Sequence, residues 1–351
     1  YQMKIGKKNI GLNYPAFLIA EAGVNHNGSI RIAKKLIDVA VKCGADAVKF
    51  QTFKAENIII PKGPKAKYHI ETTGSDKNQS WYQLLKSQEI SKKMHIELIK
   101  YCKLKKIIFL STPYDKESAD LLDELGVEAY KIASTDNDNY PFLEYLAKKK
   151  KPMIISTAMS DLRDVLHAET VLRKNKCKTY AFLQCTGNYP SKIEDANIRV
   201  IKTFQKKLKC PIGYSDHTMT DISGVTAIAM GAKIIEKHFT IDKKLYGPDH
   251  RMSANPKELF NYFLNIREAE KSLGISDKHV LKSEKQNKKK LKKSIVSNID
   301  LKKNEKITLK NVSFKRPGTG IRPIEINKIL NKKINKNIKK NTVLKKSMIK
   351  F

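Results

Sequence analysis

Arginine is scarce in this chain. Only eight of its 351 residues are Arg (Arg31, Arg163, Arg173, Arg199, Arg251, Arg267, Arg316 and Arg322), although Lys and Arg together number 69 against 35 acidic residues. The formal charge of +34 is therefore almost entirely lysine, spread along the chain and densest after position 282. A nucleic-acid surface concentrates Arg and aromatics on one face. This pattern instead describes a lysine-biased solvated surface, so no nucleic-acid partner is expected. The five cysteines (Cys43, Cys102, Cys177, Cys185 and Cys210) form no CxxC pair. That argues against a disulfide framework or a zinc ribbon and for reduced thiols in a cytoplasmic protein. No apolar run reaches the roughly 18 residues of a membrane span, and no signal peptide is read at the start. No Gly-rich phosphate fingerprint follows the first strand, which speaks against a doubly wound dinucleotide fold.

What is present is a repeating cycle. After a polar lead-in read as a hairpin, Phe-Leu-Ile-Ala-Glu-Ala-Gly-Val-Asn (17–25) predicts a buried strand that ends in polar groups. Asn27-Gly28-Ser29 turns the chain and caps a helix, whose apolar stripe is Ile32, Ala33, Leu36, Ile37, Ala40 and Cys43. Further strands are predicted at 47–53, 107–114, 129–134, 152–157, 180–186, 213–218 and 235–240, with helical patterns between them. Residues 54–90 form an insertion too long for an ordinary connection, which points to function. Eight strands alternating with helices predict a (β/α)8 TIM barrel, with chemistry at the carboxyl ends of the strands. The composition assigns 1–281 to that barrel, 282–293 to a Lys-rich linker, and 294–351 to a small β-rich domain.

Two stretches stand out. In Gly-Tyr-Ser-Asp-His-Thr (213–218) and Ile-Glu-Lys-His-Phe-Thr (235–240), alternation puts Ser215 with His217 and Glu236 with His238 on shared faces. If the strands are neighbours, His217 and His238 converge and can hold a divalent metal with open positions. Lys49 and Lys131 lie inside otherwise apolar strands, where each needs an anionic partner.

The strand ends AEAGVNHNG, KFQTF, FLSTPYD, YKIAS, ISTAM, QCTGNYP, GYSDHT, IEKHFT and GPDH, with KRPGTGI in the tail, together resemble the sialic acid (nonulosonate) synthases. The resemblance runs from about residue 17 to the end. It implies a TIM barrel with an antifreeze-like (SAF) C-terminal domain, and a metal-dependent condensation of phosphoenolpyruvate with an N-acylated mannosamine-type sugar. The expected product is an N-acetylneuraminate-type 2-keto acid, with a legionaminate-type synthase as the alternative. A Schiff-base aldolase using Lys49 or Lys131 is a remote third reading. The resemblance further implies Mn as cofactor, with Mg or Co as substitutes, and a domain-swapped homodimer. His217 and His238 would hold the metal. Lys49, Lys131, Ser134, Ser156 and Ser215 would bind phosphoenolpyruvate, with Gln51 and Thr112 on the same rim. Glu21 and Asp249 would act near the metal and sugar, Tyr189 would line the sugar pocket, and Arg316 would reach the partner subunit's site. Asp136, in Ser134-Thr135-Asp136, takes the place of the family's Ser-Gly-Glu, one methylene shorter and beside a stiffer residue.

Overall fold

The computed structural model describes residues 1–75 and 79–351. It divides into two compact units, Tyr1–Gly274 and Ile275–Phe351. The first opens with an antiparallel hairpin of β1 (Gln2–Ile5) and β2 (Lys8–Gly11). Eight parallel strands then close into a barrel: β3 (Phe17–Gly23), β4 (Ala47–Thr52), β5 (Ile108–Pro113), β6 (Tyr130–Ile132), β7 (Met153–Ser156), β8 (Tyr180–Cys185), β9 (Ile212–Asp216) and β10 (Ile234–His238). Closure is by β10 against β3, with Glu21 opposite His238 and opposite Lys49 on either side. The TIM barrel expected from the strand count is therefore present.

Strand alternation builds two separate cores. Residues such as Leu18, Val48, Phe50 and Tyr130 face outward and pack under the helices. Phe17, Ile19, Leu110, Ile154, Leu183 and Ile234 face inward and pack with Met3, Ile5 and Ile10 of the hairpin. The lead-in thus plugs the amino-terminal end of the barrel, and the same inward faces turn polar only at the strands' carboxyl ends. The first crossover helix, Ile30–Lys42, follows its sequence pattern closely. Ser29 accepts from the backbone N–H of Ile32, and Ala33, Leu36, Ile37 and Ala40 are buried.

The insertion after β4 is structured. It carries short helices at Ala55–Ile58, Lys67–Thr73 and Trp81–Gln88, the last closed by a reciprocal Ser80–Gln83 capping box. Residues 76–78 of it lie outside the described residues. The second unit has its own aliphatic core, built from residues including Ile295, Leu301, Ile307, Ile334 and Leu344. Its β11 (Ser294–Ser297) pairs antiparallel with β12 (Val312–Lys315). Of the Lys-Ile-Thr-Leu run at 306–309, only Lys306 makes an isolated bridge, to Lys333. The Lys-rich stretch, read from composition as a solvated linker, forms a helix over Lys285–Leu291 in the second unit. Its side chains are exposed, so a polar helix and a polar coil look alike in composition.

Three histidines, His26, His95 and His250, are fully buried beneath the barrel mouth. Burial drives all three down, His26 and His250 to about 4. The unfolded chain, with histidines near 6.5, binds more protons between these values. These groups therefore stabilise the fold above about pH 6.5, and that contribution is lost as pH falls toward 4. The melting temperature should drop between pH 7.5 and 5.0, and by less in His26→Asn. An identical drop in the variant would remove His26 from this account.

Candidate active site

At the carboxyl end of the barrel, inward positions from all eight strands line a cavity of about 490 Å³. Its floor is a compact charge network. Lys49 Nζ lies 3.0 Å from Glu21 Oε2 and 3.6 Å from Glu236 Oε2. Lys131 Nζ lies 3.6 Å from Glu236 Oε1. Lys49 also donates to Thr112 Oγ1 (3.2 Å), and Lys131 to Ser156 Oγ (2.7 Å). Ser215 donates to Glu236 Oε1 (2.9 Å), and Gln51 to Glu21 Oε1 (3.1 Å). All four ionisable groups are buried. Burial opposes the charge on Glu236, but Lys131 and Lys49 outweigh it and hold the carboxyl well below its ordinary range. Burial pushes Glu21 upward, because Lys49 only partly offsets the loss of water and Glu236 adds repulsion. Lys131 is driven down by burial, with Glu236 opposing. Each buried lysine has the anionic partner its strand demands. The floor thus holds two lysines and two carboxylates in one buried network.

The two histidines converge as the strand alternation requires, with ring centroids 5.6 Å apart. His217 Nδ1 donates to the carbonyl of Thr186 (2.5 Å), which leaves the lone pair of the neutral ring on Nε2. That nitrogen accepts from the Tyr189 hydroxyl at 2.6 Å, and His238 Nε2 faces the same phenol oxygen at 3.1 Å. Both imidazoles are kept neutral by burial, His217 at about 4. His238 Nδ1 is buried without a hydrogen-bond partner, 3.9 Å from Asp249 Oδ2. Two neutral imidazoles aimed at one point fit a divalent cation. The unpartnered Nδ1 facing a carboxylate is where the His238 proton belongs when Nε2 is a ligand. Among the described residues no three His, Cys, Asp or Glu side chains form a ready cage, so the chain itself offers these two nitrogens.

Asp249 also lines the cavity, and burial pushes it up to about 6. Its Oδ2 and Glu21 Oε1 both lie near Gly23, which has φ +52° at a register shift in β3. A Cβ there would come within 3.3 Å of Glu21 Oε1 and 3.5 Å of Asp249 Oδ2, so both backbone and space call for glycine. Ser134 and Tyr189 line the cavity as well, and Ser134 accepts from the backbone N–H of Ala158 (3.0 Å).

Two expected site residues stand apart from this group. Asp136 sits in the 3-10 turn Ser134–Asp136 and accepts from Asn139 Nδ2 at 2.9 Å. The cavity is lined at that point by Ser134 and Thr135, not by Asp136. The shorter side chain is held by its own loop. Arg316 belongs to the second unit, where it is exposed.

A family model described as the NeuB family matches residues 36–278, and one for the SAF domain matches residues 292–350. The chain belongs to the NeuB family. It is 43% identical to the N,N'-diacetyllegionaminic acid synthase of Campylobacter jejuni subsp. jejuni serotype O:2, over 90% of this chain and 94% of that protein. A Legionella pneumophila protein of the same name is 40% identical, over 97% of this chain and 96% of that protein. The crystal structure of an N-acetylneuraminic acid (sialic acid) synthetase from Leptospira borgpetersenii superposes with a TM-score of 0.72 at 34% identity, covering 82% of this chain and 95% of that one. NeuB-family membership makes the chain a phosphoenolpyruvate-dependent nonulosonate synthase, of a family whose enzymes are generally metal-dependent. It also leaves the Schiff-base reading without support.

Sequence reasoning did not commit to Glu236, the residue that joins the two lysines. Its alternation with His238 was visible, but its partners lie on other strands. Nor did it place Cys185 at the site, although its Sγ lies 3.7 Å from both His217 ring nitrogens and burial pushes its thiol up to about 11. The insertion was marked as functional, but without saying which of its residues line the cavity, as Tyr68, His69 and Trp81 do. No helix among the described residues is long and apolar enough to cross a membrane.

Removing Glu236 would strand two buried lysines with Glu21 alone. Glu236→Ala should cost about 3–5 kcal/mol in urea unfolding, the range for a broken buried ion pair. It should also weaken phosphoenolpyruvate binding by disordering both lysines. Wild-type stability in the variant would mean that the network is solvated.

Proposed function

We propose that this member of the NeuB family condenses phosphoenolpyruvate with 2,4-diacetamido-2,4,6-trideoxymannose, giving an N,N'-diacetyllegionaminate-type 2-keto acid and phosphate. The observation that carries this choice is the identity to two proteins named N,N'-diacetyllegionaminic acid synthase, 43% and 40%, against 34% for the sialic acid synthetase structure. The alternative drawn from the sequence thus moves ahead of the N-acetylneuraminate reading.

The residues divide the work by position. Lys49 and Lys131, with Thr112, Ser156 and Ser215 in hydrogen-bond contact with their network, bind the phosphate and carboxylate of phosphoenolpyruvate. C3 of the enolpyruvate then bonds to the aldehyde carbon of the open-chain sugar, as the C=O π bond opens and its oxygen takes up a proton to become a hydroxyl. Water adds at C2, and phosphate departs as the C2–O bond breaks. Glu21, raised by burial and 3.0 Å from Lys49, takes the proton of that water. Asp249, beside His238, orients sugar hydroxyls. His217 and His238 would hold a divalent metal, Mn by preference, which when bound supplies Lewis acidity toward the aldehyde. Tyr189, now across both imidazoles, must swing aside to admit it and then faces the sugar.

The active form is taken as a domain-swapped homodimer in which Arg316 closes the partner's sugar site. The support for that placement is an exposed Arg in a Pro/Gly-rich loop of an otherwise Arg-poor chain. A mixed dimer of Lys49→Ala and Arg316→Ala chains should recover up to about a quarter of wild-type activity, since random pairing and swapping leave one intact site. Absence of recovery in verified heterodimers would exclude a shared site.

The deciding assay is phosphate release from phosphoenolpyruvate with the diacetamido sugar or N-acetylmannosamine, each with Mn and with chelator. Chelator-sensitive release that favours the diacetamido sugar is expected. His217→Ala and His238→Ala should each reduce it to background and weaken Mn binding by calorimetry. Preference for N-acetylmannosamine would restore the neuraminate reading.

A further inference from the structure

The outward faces of β9 and β10 carry a second buried charge pair, separate from the floor network. Strand alternation turns Ser215 and Glu236 into the cavity and sends Asp216 and Lys237 the other way, under the helices. Lys237 Nζ lies 3.2 Å from Asp216 Oδ2, and both groups are buried. The same carboxylate oxygen accepts from Ser223 Oγ (2.9 Å) and from the Tyr262 hydroxyl (2.8 Å), the latter carried by helix Pro256–Leu273. Lys237 Nζ also lies 4.9 Å from the centroid of the Tyr262 ring. A Cβ at Gly224 would overlap the Tyr262 hydroxyl, so the helix Ile222–Ala229 leaves room for the phenol only because glycine stands there.

An ordinary structural ion pair would end at these contacts. This one also grips the backbone beside the histidines. The register between β9 and β10 ends at the pair Asp216 and Lys237, and the next residues on the two strands are His217 and His238. His238 still has a place in the ladder, opposite Glu21 of β3, whereas His217 lies past the end of β9. The His217 carbonyl accepts from the Ser191 N–H (2.8 Å), and the next peptide is held from behind. Asp216 Oδ1 accepts from the Thr218 N–H (2.8 Å), and Lys237 Nζ donates to the Thr218 carbonyl. The chain leaving His217 is thus tied at both polar groups of Thr218 to the two residues that precede the histidines. Imidazole nitrogens bind a divalent cation at about 2.1 Å. A site of this kind tolerates about 0.5 Å of misplacement, so the spacing of the two rings decides affinity.

We propose that Lys237 and Asp216, anchored by Tyr262, are positioning residues for the His217 and His238 pair: a buried cross-link behind the strands that fixes where the two imidazoles meet. The proposal rests on the metal-site reading above and adds what holds that site in shape.

Two measurements test it. Mn binding is read from the EPR signal of the free ion, and ring placement from proton–nitrogen spectra of the histidine rings in the metal-free protein, with His217→Ala assigning the His217 signals. Wild type should show His217 as the neutral tautomer protonated at Nδ1. Lys237→Met should weaken Mn binding about ten- to hundredfold, the scale of lost outer-shell support, and mix or broaden the His217 tautomer signals. In Lys237→Met/Asp216→Asn no buried charge is stranded, so urea stability should recover toward wild type. Mn affinity should stay low in that double variant, because the Thr218 carbonyl still lacks the Lys237 donor. Tyr262→Phe should fall between wild type and Lys237→Met on both readouts, and it decides the matter if neither Lys237 variant folds. Wild-type Mn affinity with a wild-type His217 tautomer in the folded variants would overturn the proposal and leave a purely structural ion pair. Mn binding that survives His217→Ala would instead remove the metal reading, and the tautomer spectra would still judge the positioning.

Discussion

The structure depends on four charges that have been taken out of water. Lys49, Lys131, Glu21 and Glu236 sit on four strands of one barrel, and each is tolerable only because the others are there. Desolvation alone would neutralise either lysine, and it would do the same to Glu236. Mutual attraction keeps most of them ionised, and closure of the barrel fixes their separations to the geometry of the strands. The network is therefore a store of ammonium groups held ready by carboxylates that can yield them. Under the proposed function, an incoming trianion competes with Glu236 for the same two Nζ atoms, in a cavity where such contacts are strong.

Above and below this layer the same strands do different things. Their first residues, with the N-terminal hairpin, form an aliphatic plug, and their last residues form a polar mouth. The plug keeps water from reaching the charges from below. At Gly23 a register shift in β3 coincides with a backbone conformation, φ +52°, that only glycine adopts without strain. Polar chemistry is thus confined to a shallow zone, which is why residues far apart in the chain appear as neighbours only at the ends of strands.

This explains what the sequence made legible. Alternation fixes which face a side chain takes, so His217 and His238 could be paired once their strands were taken as neighbours. The identity of Lys49 and Lys131 as out-of-place charges was enough to mark them, because few contexts tolerate a buried lysine. Glu236 shows the limit. Its role comes from Lys49, 187 positions away, and Lys131, 105 positions away, and no local pattern encodes a cross-barrel contact. Asp136 shows another limit, since a carboxylate in the expected place turned to Asn139 in its own loop. The insertion was legible by its length, but which of its apolar residues face the cavity was not, because an apolar residue that lines a cavity and one that lines a core look the same in a sequence.

All five cysteines are buried and free, and all five belong to the first unit. They are distributed around it: Cys43 caps the first crossover helix, Cys102 lies in another, Cys177 and Cys210 lie in loops before β8 and β9, and Cys185 ends β8. Cys185 lines the cavity, but for the other four a bulky thiol reagent meets a buried target until some segment opens. The barrel consequently carries an internal set of breathing sensors, and mass spectrometry of the modified peptides would rank its sectors by how often each comes apart, with the small domain contributing no background.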